Sequence, residues 1–285
     1  MANTLLCIGF GDIAARVARE QLAKGWQVIG MCRQPEHKQA PPGVTLVAGD
    51  ANNEQDLKRL LLNSQPAITA ILVTLTPARG AEDSYHQGYV VPCRHLQQVL
   101  AQSTNPPQLI YVSSTGVYGQ RDGQWVTEES PTEPDTHSGA MLLQAEQVIA
   151  ACNAQVSILR CSGIYGPGRT MLIDRLKEAK VTVTPAWTNR IHADDVAGFI
   201  AHLFASTKVE PLYLVNDNEP ALQADVYKWL AAELEVDYQN LASTDEVGSR
   251  GSKRCDNKQL KSSGYKLQYP TFRDGYKVLV ANHQD

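Results

Sequence analysis

Short apolar runs alternate with amphipathic stretches through the first half of the chain. Thr4 to Ile8 reads as a buried strand. After Gly11, residues Ile13, Val17 and Leu22 fall near one face of a helix that Gly25 is placed to close. Gln27 to Met31 and Val44 to Val47 read as the second and third strands, and Asn52 or Asn53 can cap a helix through Leu62. Ala67 to Val73 is apolar apart from Thr69, a character that suits a strand covered on both faces of a parallel sheet. A long helix is expected over roughly 85–101 and a strand from Leu109 to Val112. Met141, Ala145, Val148, Ile149 and Cys152 form a helical stripe, and Val156 to Arg160 returns as strand.

Beyond about Gly163 the alternation loosens. Gly163 to Gly168 is a turn-rich break, followed by a helix from Met171 and short strands near Val181 and Arg190. A helix from Asp194 to Ala205, a strand at Leu212 to Val215 and helices at Val226–Leu234 and Asn257–Ser262 complete the pattern. Glu246 to Lys253 is the segment expected to be most mobile. The β-α alternation predicts an α/β fold, a Rossmann-type doubly wound parallel sheet with a smaller C-terminal α+β substrate lobe. The expected division is 1–163 for the dinucleotide-binding domain and 164–285 for the smaller lobe, which can share strands with the first.

At 285 residues the chain can bury a substantial core. A net charge of −4 with interspersed signs leaves out the basic stripe of a nucleic-acid binder, so no nucleic-acid partner is expected. No run reaches eighteen apolar residues, so no membrane partner is expected either. The opening residues MANTLLCIGF lack the basic region of a secretory signal, and the six scattered cysteines suit a reducing compartment. Both features predict a cytoplasmic location. No cysteine or carboxylate spacing reads as a metal site; Asp194-Asp195 complements a helix dipole without an ion.

The chemistry concentrates where the first strand meets its helix, at Gly9-Phe10-Gly11-Asp12-Ile13-Ala14. Gly9 permits the tight turn and Gly11 lets backbone approach a pyrophosphate. Ala14 lets the helix lie close, and the helix N-terminus offers amides to phosphate. Gly9, Phe10, Gly11, Asp12 and Ile13 are therefore the expected phosphate-end residues. The second strand ends Met31-Cys32-Arg33 with no acid before Glu36. Arg33 thus points to NADP, with NAD as the alternative cofactor and a plain surface arginine as the bland alternative. Asp50 either meets the adenine edge or caps the next helix.

Several segments together resemble the extended short-chain dehydrogenase/reductase superfamily, its NAD-dependent epimerase/dehydratase group. They are Gly9-x-Gly11-x-x-Ala14, Val112-Ser113-Ser114-Thr115-Gly116-Val117-Tyr118-Gly119, Tyr165-Gly166-Pro167-Gly168 and Ile191-His192-Ala193-Asp194-Asp195-Val196-Ala197. Ser138-Gly139 and the ending Lys253-Arg254 with Tyr269-Pro270 look most like the atypical YeeZ-like branch.

The family's chemistry uses a tyrosine and a lysine one helical turn later, the ammonium making a phenolate accessible. Counted back from Glu146, those positions hold Ser138 and Leu142, and neither can perform that role.

The resemblance makes Ser114 the hydroxyl on the reacting oxygen, against a bland reading as a strand-end serine bonding local backbone. It brings Thr74, Thr76 and Gly163 to the ribose or nicotinamide, against ordinary turn chemistry. Tyr118 is a candidate proton donor, against a packing role. His137, beside the vacated tyrosine position, is a further one, pointing a quarter-turn aside. His192 and Arg169 are expected to flank the substrate, where a cation could hold a phosphate or carboxylate.

Two functions fit this reading. One is an NADP-dependent oxidoreductase or epimerase acting on a small polar substrate such as a nucleotide sugar. The other is a redox-sensing or regulatory protein that holds NADP without turnover. Helices at 85–101 and 138–152 suggest a homodimer by analogy.

Overall fold

The structure is a computed structural model, and it describes residues 3–77 and 83–282. Seven strands form the main sheet: β1 (Thr4–Ile8), β2 (Gln27–Cys32), β3 (Val44–Ala48), β4 (Ala70–Val73), β5 (Gln108–Ser114), β6 (Gln155–Cys161) and β7 (Leu212–Val215). Their spatial order is β7-β6-β5-β4-β1-β2-β3. The pairings of β1 with β2 and β4, of β2 with β3 and of β4 with β5 are all parallel. Sequence order reverses direction between β1 and β4, so the carboxyl ends of those two strands form the switch point at which such sheets bind ligands. β1 and β4 are buried throughout, as continuous apolar runs require when helices cover both faces.

By compactness the chain forms two interleaved units instead of parting once after residue 163. The first comprises Met1–Val117, His137–Arg160 and Ala197–Tyr213. The second comprises Tyr118–Thr136, Cys161–Val196 and Leu214–Asp285. The first unit's core gathers Leu6, Ile8, Leu57, Ile71, Val73 and Tyr111 with helix residues such as Leu96 and Ile149. The second has its own core around Tyr165, Ile173, Val226, Leu230, Phe272 and Tyr276.

The first unit's helices are α1 (Asp12–Ala23), α2 (Glu54–Leu62), α3 (Val91–Leu100) and α4 (His137–Ala150). Asn53, not Asn52 or Asp50, caps α2, its side chain accepting from the Gln55 N–H. The helix expected over 85–101 opens differently, with a π-helical stretch, His86–Val90, before α3. Pro92 has no N–H for the carbonyl four residues back, so the tighter α-helical ladder cannot run through this point. Gly88 lies here with Pro77 occupying the place a Cβ would take.

Among the elements of the second unit that escape the periodicity reading are one helix and two strands. Helix Phe272–Ala281 opens with a capping box between Thr271 and Asp274. Strands Gln124–Val126 and Lys253–Cys255 pair in parallel. Lys253 consequently belongs to no mobile loop. It is buried and donates to the carbonyls of Tyr118 (2.8 Å) and Arg250 (3.1 Å). All six cysteines are free and all but Cys32 are buried, with burial pushing the Cys7, Cys152, Cys161 and Cys255 thiols up to about 12. Among the described residues no helix is long and apolar enough to cross a membrane, and no cluster of His, Cys, Asp or Glu could hold a metal ion.

Candidate functional site

The turn between β1 and α1 is held by backbone geometry that only these residues allow. Gly9 sits at φ +84°, and a Cβ there would lie 3.0 Å from the Thr74 carbonyl oxygen. The N–H groups of Gly9 and Phe10 both donate to the Met31 carbonyl, at 3.2 and 3.1 Å. The Thr74 hydroxyl closes the turn from β4 by donating to the Gly9 carbonyl at 2.5 Å. Two expectations change here. Thr74 secures the turn instead of reaching a ribose. Phe10 is 3 % exposed, and its ring fills the space where Gly30 lacks a Cβ. With its amide spent on Met31, Phe10 is a packing residue.

Gly11 is the residue before α1, with no side-chain cap, and a Cβ built on it would meet nothing within 4 Å. The first α1 bond runs from the Ala15 N–H to the Gly11 carbonyl (2.9 Å). Amides ahead of that bond have no carbonyl four residues back within the helix. The Ile13 and Ala14 side chains are buried, so what they present is backbone. Asp12 sits exposed in the first turn, its carboxylate accepting from Arg16 Nε at 2.9 Å. An open helix N-terminus beside an unobstructed glycine suits a diphosphate.

At the neighbouring strand ends, an open hollow of about 400 Å3 is lined by Arg33, Ala48, Gly49, Asp50 and Asp56. Arg33 is exposed just beyond β2. Asp50 spends one carboxylate oxygen on the Asn52 N–H (3.0 Å), and its own N–H donates to Asp56 Oδ2 (3.0 Å). Arg33 and Asp50 thus line the same hollow.

At the end of β5 the two serines point to different tasks. Ser113 is buried and its hydroxyl donates to Glu146 Oε1 at 2.6 Å. Arg160 reaches the same carboxylate through Nε (3.2 and 3.1 Å) and through its terminal nitrogen (2.7 Å). This buried Ser113–Glu146–Arg160 network, joining β5, α4 and β6, was not singled out from the sequence. Ser114 is half-buried, and its oxygen accepts from the Gly116 N–H at 3.1 Å. That bond uses a lone pair and leaves the hydroxyl proton for another acceptor.

On α4, Leu142 is 8 % exposed and Ser138 is half-buried. Neighbouring His137 meets the Tyr85 ring edge-on, with centroids 5.9 Å apart, a pairing invisible in the sequence. Thr76 is exposed beyond β4.

In the second unit two expected site residues prove to be internal. Tyr118 is 2 % exposed and its hydroxyl donates to the Thr127 carbonyl at 2.8 Å. A proton committed to a buried carbonyl is poorly placed for exchange with a substrate. His192 is equally buried, its ring tilted against Tyr269 (centroids 4.0 Å apart) and edge-on to Tyr165 (5.3 Å). Its Nδ1 accepts from the Asp194 N–H at 3.2 Å, so it opens the helix Ala193–Ala205 instead of facing ligand. Asp195 is buried too, and accepts from the N–H groups of Gln268 (2.6 Å) and Tyr269 (3.0 Å) and from the Tyr265 hydroxyl (3.2 Å). Desolvation raises its carboxyl above the usual range, against those three bonds. Gly163 and Arg169 are exposed. Gly163 starts a strand, Gly163–Tyr165, that pairs in parallel with Arg190–His192.

The sheet order and the glycine turn define a nucleotide-binding α/β protein, and comparison with known proteins agrees. The profile of a family described as NAD(P)H-binding matches residues 9–207, and the chain belongs to that family. Within it, the chain falls in the extended short-chain dehydrogenase/reductase, epimerase/dehydratase-like branch.

Protein YeeZ of Escherichia coli K12 is 26 % identical over 92 % of this chain and 95 % of that protein. A Methylobacillus flagellatus structure, provisionally described as an NAD-dependent epimerase/dehydratase, is 33 % identical. It covers 100 % of this chain and 99 % of its own, with a TM-score of 0.79. A dTDP-glucose 4,6-dehydratase from Bacillus anthracis, solved with NAD, shares the fold at 18 % identity and a TM-score of 0.82, covering 100 % of this chain and 97 % of that one.

Proposed function

We propose that this protein is an NADP-dependent oxidoreductase or epimerase that acts on a small polar substrate, foremost a nucleotide sugar. The observation that carries the reading is Arg33 beside Asp50 in the hollow next to an open helix N-terminus. In this reading the Gly9 turn and the backbone of Asp12 and Ile13 hold the diphosphate, and Gly11, its own N–H donated to the Gly9 carbonyl at 3.0 Å, leaves room for it. Arg33 takes the 2′-phosphate and Asp50 the adenine edge. When bound, the cofactor supplies hydride chemistry.

Ser114 donates its hydroxyl proton as a hydrogen bond to the substrate oxygen, polarising the carbon that gains or loses hydride. Thr76 contributes to the cofactor's ribose and nicotinamide end. Tyr118 and His192 drop out for the reasons above, and the proton comes from water or the substrate itself. A homodimer, no nucleic-acid partner and a cytoplasmic location complete the proposal; light scattering reads the first.

The rival is a sensor that binds NADP without turnover. It is favoured by one feature: the lysine position is filled by a buried leucine, Leu142. Two measurements separate them. NADPH and NADH titrations of the wild type and Arg33→Ala should show a preference for NADPH that the variant loses. Unchanged NADPH affinity would remove Arg33 from the site. Single-turnover absorbance at about 340 nm across carbonyl and sugar-nucleotide panels should show hydride transfer that Ser114→Ala slows about 100-fold. Tight NADPH binding with no transfer across the panel would establish the sensor.

A further inference from the structure

The second unit carries an aromatic construction that the nicotinamide reading does not use. Trp187 and Trp229 are half-buried and line one hollow of about 520 Å3, floored by Ala221 and Leu222. Each indole is fixed by its neighbours. Arg254 lies over Trp187 at 4.8 Å from the ring centroid, and Gly123 abuts the same indole, since a Cβ there would come within 2.6 Å of it. Arg254 is itself held by Nε donating to the Gly123 carbonyl at 2.7 Å. It also lies over Trp125, which is 55 % exposed, at 5.1 Å. Trp229 is braced edge-on by Phe272 at 5.6 Å.

Two large rings are therefore held rigid and left partly wet. Burying only their inner partners does not need this arrangement, whereas a ligand that stacks on them gains contact without ordering side chains first.

The rim selects the class of ligand. Arg273 pairs with Glu219, which cancels both charges. Asp225 and Lys228 stand exposed on the helix Gln223–Glu233, with no ion pair among the described residues. They offer one acceptor group and one donor group with no net charge. Neither an anion nor a cation is favoured by such a rim, and a purely apolar ligand would leave both groups unused.

We propose that this hollow is a saccharide-binding site for a neutral pyranose ring. The ring's C–H face stacks on the indoles, and its vicinal hydroxyls donate to Asp225 and accept from Lys228. The site is separate from the nicotinamide-binding residues and does not depend on them.

The test uses the full chain labelled with 5-fluorotryptophan, without cofactor and again with saturating NADPH. The four indole resonances are assigned by Trp→Phe substitution and titrated with methyl β-D-glucopyranoside, methyl β-D-galactopyranoside and cellotriose. We expect saturable shifts at Trp187 and Trp229 with millimolar affinity, no change at Trp26, and the same result with NADPH present. Asp225→Asn and Lys228→Gln, both on the surface, should each weaken binding about tenfold while leaving the fluorine spectrum of the free protein intact.

No saturable shift with any glycoside up to about 100 mM would overturn the proposal. So would equal affinity in both rim variants, or a stronger response to benzyl alcohol than to the glycosides. Failure of NADPH to bind would touch only the nicotinamide reading.

Discussion

Asp217→Asn isolates the cost of a buried acid in the second unit's interior. Asp217 is fully buried; one carboxylate oxygen accepts from the Glu219 N–H at 3.0 Å, and the other finds no partner among the described residues. Arg190 is close enough to lower its pKa, but the guanidinium is engaged with the Thr188 hydroxyl at 2.8 Å. It is the Arg190 main-chain carbonyl that accepts the Asp217 N–H, at 2.7 Å. Burial therefore outweighs the cation, and the carboxyl is pushed up to about 8.

The sign follows. Between the unfolded value near 4 and the folded value, the native state binds the extra proton, so this group's contribution to stability falls as pH rises. Each unit of pH in that window costs up to about 1.4 kcal/mol, or roughly 3 kcal/mol at pH 6 before any local relaxation. Asparagine keeps the acceptor for Glu219 and never ionises. Urea unfolding at half-unit steps from pH 4.5 to 8.5 should show the variant gaining on the wild type throughout. A pH-independent offset is expected as well, because the buried amide nitrogen is under-bonded. A difference that stays flat with pH, or grows as pH falls, would mean that Asp217 is ionised and paired, and would refute the reasoning.

The Glu146–Arg160 pair should behave as a unit. Arg160→Met strands a buried carboxylate and should cost about 3–5 kcal/mol, while Arg160→Met with Glu146→Gln should cost clearly less than the sum of the singles in denaturant melts. Strict additivity would deny the coupling.

The two glycines of the nucleotide turn should separate folding from binding. Gly9→Ala should destabilise by about 1–3 kcal/mol because of its positive φ and the Thr74 carbonyl. Gly11→Ala should leave the melting temperature nearly unchanged while weakening NADPH at least tenfold by fluorescence titration. Tyr118→Phe should lose about 1 kcal/mol from the bond to Thr127 and leave any hydride transfer intact. A collapse of turnover in that variant would restore Tyr118 to the chemistry.

What was legible in the sequence is what repeats locally. Continuous apolar runs announced β1 and β4, because a strand covered on both faces has no polar alternative. Gly9 was legible because its positive φ favours glycine, and Gly11 because Gly-x-Gly directly after a strand is a local pattern. Phe272–Ala281 carries a local signal too: Thr271 and Asp274 spell a capping box, and Phe272, Tyr276, Leu279 and Val280 keep helical spacing. Strands Gln124–Val126 and Lys253–Cys255 could not be read, being three residues each and paired across more than a hundred positions. Tyr118 and His192 were misplaced for a related reason. Sequence gives a hydroxyl or an imidazole but not whether Thr127 or Asp194 already holds it.

Ser113 and Ser114 show why the rest of the site divides as it does. Side chains alternate along a strand, so consecutive serines at the end of β5 cannot share a task. Ser113 turns inward, where a hydroxyl needs a partner and finds Glu146 and, through it, Arg160. That network ties the end of β5 to α4 and β6 whatever occupies the helix positions at 138 and 142. The frame around Ser114 can therefore stay fixed without a tyrosine–lysine pair, because neither group belongs to the buried lattice that holds it. In the proposed reading, cofactor binding rests on yet another set, the Gly9 turn secured by Thr74. On that reading binding, substrate polarisation and proton supply fall to physically separate groups, so a chain without the third can keep the first two.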